Sequence, residues 1–488
     1  MLFNSFSFLV FFPVVTLLYF VIPKKLRCAW LLAASYYFYM SWNAKYAVLI
    51  AASTLITFAS GILIEKAGTQ HGRRCVAAAS LISNLAILAV FKYADFALRT
   101  VSFLTDHLGL GSINHRIDLL LPVGISFYTF QALSYTIDVY RGNIKAEKSL
   151  LRYALFVSFY PQLVAGPIER SGSLLIQIQK MQELKMWDFA RVRDGLLLMC
   201  WGMFQKLVIA DRASMLVNQV YGNCQNYGFF ELSAASVLFA FQIYCDFGGY
   251  SSIACGAAKV MGFSLTLNFR QPYLATSIKD FWRRWHISLT SWFTDYLYIP
   301  LGGSRKGRLF KYCNIVIVFL VSGLWHGAGW HFAAWGFIHA VYQIGGQWKR
   351  ELEEKFLKSK NTAALSFSQK LGKMIGTFLL VDAAWVFFAA DSLRQVYAIF
   401  RQMLTAFQKA GIYELGLDRG NWFILLFGIT VLFTVDVLHE KGYSVFMLVR
   451  EQTVWFRWNL YLGLIWCTIL FGIYGAGYDA GQFIYFQF

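Results

Sequence analysis

Charge is scarce in this sequence. Only 14% of its 488 residues are Asp, Glu, Lys or Arg, whereas 58% are hydrophobic. A soluble fold of this length has no core large enough for so much apolar surface, so the composition excludes one and requires lipid. Acidic residues are scarcer than basic ones, 26 against 44, which leaves a formal net charge of +18. In a soluble protein that excess points to nucleic acid. Here the Lys and Arg residues sit in short connections between apolar runs, the arrangement that orients a chain across a membrane, and nucleic acid is excluded as a partner. Paired cysteines are missing too. Cys28, Cys75, Cys200, Cys224, Cys245, Cys255, Cys313 and Cys467 are scattered, with neither a CxxC pair nor metal-type spacing, so neither disulfides nor a zinc site is expected. There is no Walker A sequence, no Rossmann glycine pattern and no HExxH, which counts against an ATP-driven pump and a membrane metalloprotease. No repeat of solenoid period and no low-complexity tract divides the chain, which reads as one membrane domain over 1–488.

What the sequence does have is long apolar runs, near residues 2–22, 28–42, 46–64, 75–92, 117–138, 152–166, 194–216, 229–247, 312–326, 331–346, 374–390, 421–438 and 458–476. About 20 apolar residues span the roughly 30 Å hydrocarbon layer. The fold class is therefore an all-α polytopic membrane protein with about 11–13 transmembrane helices. The run Leu2–Ile22 has no basic residue before it and no small-residue cleavage site, and Lys24, Lys25 and Arg27 follow at once, so it reads as a retained helix. With the N-terminus outside, Lys24/Lys25/Arg27, Lys66/Arg73/Arg74 and Arg141/Lys145/Lys148 all face the cytosol. A sixth full crossing would then put Arg170, Lys180, Lys185, Arg191 and Arg193 outside. The breaks at Pro161 and Gly166-Pro167 resolve the conflict if 151–168 is a re-entrant segment. The basic, aromatic-rich stretch 270–311 is then cytosolic and suits interfacial helices, with a solvated Lys/Glu-rich linker at 349–373 and further crossings in 374–488.

Ionisable groups inside apolar runs are costly, and each raises a functional question. His326 lies in the segment Ser322-Gly323-Leu324-Trp325-His326-Gly327, where small residues allow close approach and Trp325 can wall a pocket. Histidine suits acyl transfer because an unperturbed pKa of about 6.5 lets it take a proton from a hydroxyl and return it to a thiolate. A histidine simply hydrogen-bonded inside the bundle is the competing reading. His286, between Trp285 and Ser288, is the second candidate, with an interfacial structural role as its alternative. His331 and His339 read as mainly structural, and His71, His107, His115 and His439 lie in connections or at helix ends. Asp246, in Tyr244-Cys245-Asp246-Phe247-Gly248-Gly249, needs a cationic partner. An arginine or histidine of the 283–286 cluster is the expected one, in a role that supports the catalytic region without doing chemistry. Arg283, Arg284, Arg305, Lys306 and Arg308 can attract the phosphates of a nucleotide-bearing donor, or simply set topology and touch lipid headgroups.

These residues lie in blocks that resemble the membrane-bound O-acyltransferase family, and within it the bacterial alginate O-acetyltransferases. The strongest blocks are "QIYCDFGGYSSIACGAAKVMGF", "NFRQPYLATSIKDFWRRWHISLTSWFTDYLYIPLGG" and "GLWHGAGWHFAAWG", supported by "MLFNSFSFLVFFPVV", "LPVGISFYTFQALSYTIDVYRG" and "SFYPQLVAGPIER". The resemblance implies that His326 is the family's catalytic histidine and His286 its second signature polar residue, with the catalytic core at about 120–350. It also implies a helical fold whose central tunnel joins a cytosolic donor site to an extracytoplasmic acceptor site. Acetyl-CoA is the implied acyl donor, an exported polysaccharide such as alginate the implied acceptor, and a periplasmic SGNH hydrolase-like acetyltransferase the implied partner, all at a bacterial inner membrane. D-alanyl transfer to teichoic acid and O-acetylation of peptidoglycan are the alternatives inside the family. Outside it, a transporter of a lipid-linked sugar would make His326 and Asp246 pathway groups, although no inverted repeat supports that; a scaffold of a secretion complex would need neither.

Overall fold

A computed structural model of the protein describes residues 1–111, 121–184, 188–356, 366–407, 411–474 and 483–484; His115 and Lys185 lie outside the described residues. Among the described residues every regular element is helical. Backbone contacts divide the chain into one unit of Met1–Met199 with Ile253–Thr266 and another of Cys200–Ser252 with Leu267–Phe488, a division that the single-domain reading did not draw.

The first unit holds α1 (Phe6–Val21), α2 (Arg27–Met40), α3 (Ala47–Lys66), α4 (Gln70–His107), α5 (Ile125–Arg141), α6 (Leu150–Ser158), α7 (Tyr160–Leu163), α8 (Ile176–Gln179) and most of α9 (Phe189–Phe204). The segment predicted to be re-entrant is α6 and α7, 9 and 4 residues long, too short to cross a bilayer and buried on nearly all sides. The break at Phe159 frees backbone groups, and side chains satisfy them. The amide of Tyr160 donates to Ser35 Oγ at 3.1 Å instead of to the Phe156 carbonyl one turn back. That carbonyl accepts instead from Gln131 Nε2 at 2.6 Å and Gln162 Nε2 at 2.9 Å. Non-helical backbone at membrane depth is tolerated where protein covers it in this way.

The second unit starts within α9, passes through a π-helical turn at Gln205–Ala210, and continues with α10 (Asp211–Gly222), α11 (Phe229–Met261) as far as Ser252, α12 (Ile278–Arg284) and α13 (Ile287–Phe293). A second π-helical turn, Thr294–Tyr298, leads to α14 (Arg308–His326), α15 (Trp330–Phe356), α16 (Phe367–Ala389), α17 (Leu393–Thr405), α18 (Arg419–Glu440), α19 (Val445–Arg450) and α20 (Val454–Phe471). α15 and α16 take up both ends of the predicted linker, whose middle lies outside the described residues.

Among the described residues, seven helices are long and apolar enough to cross a membrane: α3 with the turn before it, α4, α11, α14, α16, α18 and α20. The other predicted crossings fall on shorter helices, such as α1, α2 and α5 with 16, 14 and 17 residues, or on helices interrupted or too polar, such as α9–α10 and α15. The chain is a multi-pass membrane protein.

α14 and α15 form a close hairpin because glycines face each other across it. A Cβ on Gly323 would strike the Phe332 carbonyl oxygen, and one on Gly336 the Phe319 carbonyl oxygen. Small residues at such crossings let backbones meet where lipid gives no hydrophobic drive between helices.

Candidate active site

His326 is the last residue of α14, and Gly327 follows in an extended conformation that ends the helix. The hairpin turn carries the chain back at once, so Trp335 on α15 packs against the imidazole, with ring centroids 5.2 Å apart at 86°. Phe388 from α16 stands 5.2 Å away and Trp325 5.0 Å away. His326 is 3% exposed, enclosed by these aromatic rings.

His286 reaches the same enclosure from the junction of two seven-residue helices. Ser277 caps α12 by accepting the Asp280 amide, and Arg283 and Arg284 fall in its last turn, where cations suit the helix dipole. Trp285 ends that helix, and His286 turns the chain with φ at 44°, a left-handed conformation that few residues other than glycine adopt. The turn is held from outside: Ile287 donates its amide to the Asn268 carbonyl at 3.0 Å, and Ser288 Oγ donates to Asn268 Oδ1 at 2.7 Å. Strain of this kind persists where the surroundings over-determine it, and it collects at functional sites. The His286 ring is fully buried, 6.3 Å from that of His326, 6.0 Å from Trp325 and 4.7 Å from Phe247. Two imidazoles thus share one aromatic enclosure.

Of the aromatic residues around His286, Phe281, Trp282 and Trp285 are buried in a core with Trp335 and Trp385, and Trp292 is buried against Phe293 and Tyr296. His339 belongs to that core. It is fully buried, its Nδ1 accepts from Trp282 Nε1 at 3.3 Å, and its ring stands 5.0 Å from Trp335.

Asp246 has a cationic partner, but not the one its sequence setting suggested. Its partner is Lys206, at 2.7 Å, rather than a member of the 283–286 cluster, and Lys206 also holds Asp211 at 2.8 Å. Arg284 is occupied elsewhere, with Nε 3.0 Å from Asp280 and Nη1 2.6 Å from Glu440. Its guanidinium is therefore already matched by two carboxylates. Arg283, Arg305 and Lys306 are exposed, and Arg308 pairs with Glu351 at 3.3 Å. Sequence reasoning missed Lys206, Phe247, Trp335 and Phe388. Lys206 could have been found, since it is one of two cations, with Arg212, inside the apolar run 194–216. The three aromatic residues carry no such signal in a chain with 18% aromatics.

Helices of a multi-pass membrane protein thus close two imidazoles in one aromatic enclosure. The membrane-bound O-acyltransferase family model, MBOAT, matches residues 77–381, a span that contains both histidines. The chain is 35% identical over 438 residues to a protein named probable alginate O-acetylase AlgI from Pseudomonas aeruginosa, covering 88% of this chain and 80% of that one. It is 32% identical over 435 residues to a peptidoglycan O-acetyltransferase from Helicobacter pylori, covering 83% and 80%. A teichoic acid D-alanyltransferase from Streptococcus thermophilus is 27% identical over 299 residues, covering 57% and 69%. The chain belongs to the membrane-bound O-acyltransferase family, in its alginate O-acetylase-like branch, and is an O-acyltransferase.

Proposed function

We propose that this enzyme takes an acetyl group from cytosolic acetyl-CoA and passes it across the bacterial inner membrane for O-acetylation of an exported polysaccharide. The observation that carries this reading is the burial of His326 and His286 in one aromatic enclosure. In the reaction, His326 takes the proton of an incoming hydroxyl whose oxygen attacks the thioester carbonyl carbon. The carbon–sulfur bond breaks, and the proton returns to the leaving thiolate, giving free CoA and an acetyl ester. His286, fixed by its strained turn, orients the reacting groups. Most of the acceleration comes from holding donor and acceptor in one orientation inside a tunnel closed to water.

The donor enters from the side where the basic stretch 270–311 lies, which places the N-terminus outside. Of its cations, exposed Arg283, Arg305 and Lys306 serve the donor's phosphates, whereas Arg284 braces the fold through Asp280 and Glu440. Trp325 walls the acyl site. The hydroxyl belongs to a periplasmic SGNH hydrolase-like partner that completes transfer to the glycan.

The test is the acetyl content of the exported glycan in a strain lacking the gene, complemented with wild type or His326→Ala. Acetate esters restored by wild type alone support the reading. D-alanyl esters in their place would point to the teichoic acid branch, and esters restored equally by the variant would remove His326 from the chemistry.

A further inference from the structure

We propose that Lys206 is a positioning residue for the histidine pair, acting through Asp246 and Phe247. The sequence "CDFGGY" at 245–250 makes sense residue by residue on this view. Asp246 is 1% exposed in the middle of α11, and each of its carboxylate oxygens has a separate partner: Oδ1 lies 2.7 Å from Lys206 Nζ, and Oδ2 accepts the Ile484 amide at 2.8 Å. The next residue, Phe247, is fully buried and sets its ring edge-on to His286 at 4.7 Å. The rotation of α11 about its axis, which Asp246 fixes, therefore fixes the ring on which His286 rests.

Lys206 can reach Asp246 for two reasons. It sits in the π-helical turn Gln205–Ala210, and an inserted residue of this kind redirects side chains, often next to functional sites. Gly249 lets α11 approach that turn closely: a Cβ there would stand 2.7 Å from the Gly202 carbonyl oxygen and 3.2 Å from the Lys206 amide. The end of the chain closes the arrangement. Phe483, 2% exposed, lies against Tyr250 with ring centroids 4.8 Å apart at 33°, and its ring is 5.8 Å from Lys206 Nζ. Asp211, the other carboxylate on Lys206, lies on α10, whereas Asp246 shares α11 with the ring set against His286. The two carboxylates thus provide an internal comparison: both neutralise Lys206, but one of them leads to the site.

The experiment compares Asp246→Asn, Asp211→Asn and Phe247→Leu with wild type in lipid nanodiscs. The first readout is the rate at which diethyl pyrocarbonate labels His286, followed by peptide mass spectrometry, which needs no substrate. Asp246→Asn and Phe247→Leu should each label about tenfold faster, as a local opening populated ten times more often gives, with Asp211→Asn close to wild type. Phe247→Leu leaves the ion pair intact, so it decides the question if Asp246→Asn does not fold. The second readout, CoA release from acetyl-CoA, rests on the function proposed above. There Asp246→Asn should lose about 10²-fold in kcat with little change in KM, the scale that misplacement by an ångström produces, and Lys206→Arg should retain more turnover than Lys206→Met. Equal labelling in the two Asn variants, or none above wild type in Phe247→Leu, overturns the proposal. A wild type that releases no CoA overturns the donor assignment instead and leaves the labelling result standing.

Discussion

At the scale of single residues, His286 is the position where backbone and chemistry are bound together. Its φ of 44° costs an ordinary side chain roughly 1–2 kcal/mol, whereas asparagine tolerates the left-handed region better. His286→Asn is therefore expected to fold nearly as well as wild type while losing about 10²-fold in turnover, the scale that misplacement of the reacting groups produces. His286→Ala should lose both activity and thermal stability. Thermal unfolding beside turnover separates the two, and a fully active Asn variant would assign the histidine to the turn alone. Glu169 gives a test of pH. It follows the re-entrant segment outside the seven spans, is buried, and accepts the Thr266 amide. Burial pushes its pKa up from 4.5 to about 7, with the Thr266 hydrogen bonds acting the other way. The folded state thus holds a proton that the unfolded chain releases, so this residue's contribution to stability falls as the pH rises from about 4.5 to about 7 and is level above that. Glu169→Gln should unfold at a higher temperature than wild type at pH 8 and at about the same temperature below pH 4.5. A gap that does not change with pH would mean that the carboxylate does not titrate there.

At the scale of elements, the α14–α15 hairpin sets the site because two glycines let the helices touch. Gly323→Ala should cost about 1–3 kcal/mol, the usual penalty for forcing atoms into a packed contact, since the obstructing atom is the Phe332 carbonyl oxygen rather than a movable side chain. A lower melting temperature with turnover lost in proportion would agree; an unchanged protein would mean that the helices separate easily. The broken α6–α7 pair shows what a sequence can reveal about an element. Its charge conflict and its prolines made a re-entrant path legible, because both are local facts. The side chains that make the path affordable, Ser35, Gln131 and Gln162, come from distant positions and carried no local mark.

At the scale of the whole molecule, the class was legible because lipid imposes a composition that nothing soluble shares, and His326 stood out as an ionisable residue at the end of an apolar run. The partner of Asp246 was not legible. Proximity in sequence to nothing in particular had to be replaced by proximity in space, and Lys206 comes from 40 residues earlier, through a π-helical turn that no periodicity announces. The buried core that Phe281, Trp282 and Trp285 join was not legible for a related reason: tryptophans beside arginines suit an interfacial helix whether or not their rings are covered by protein, and only packing shows which rings are. The most direct test of the account is release of free CoA from acetyl-CoA by the purified protein in nanodiscs, beside a His326→Ala variant with an unchanged melting temperature. The account predicts release by wild type and its loss, by about 10²-fold or more, in the variant. Equal release by the two proteins would contradict it.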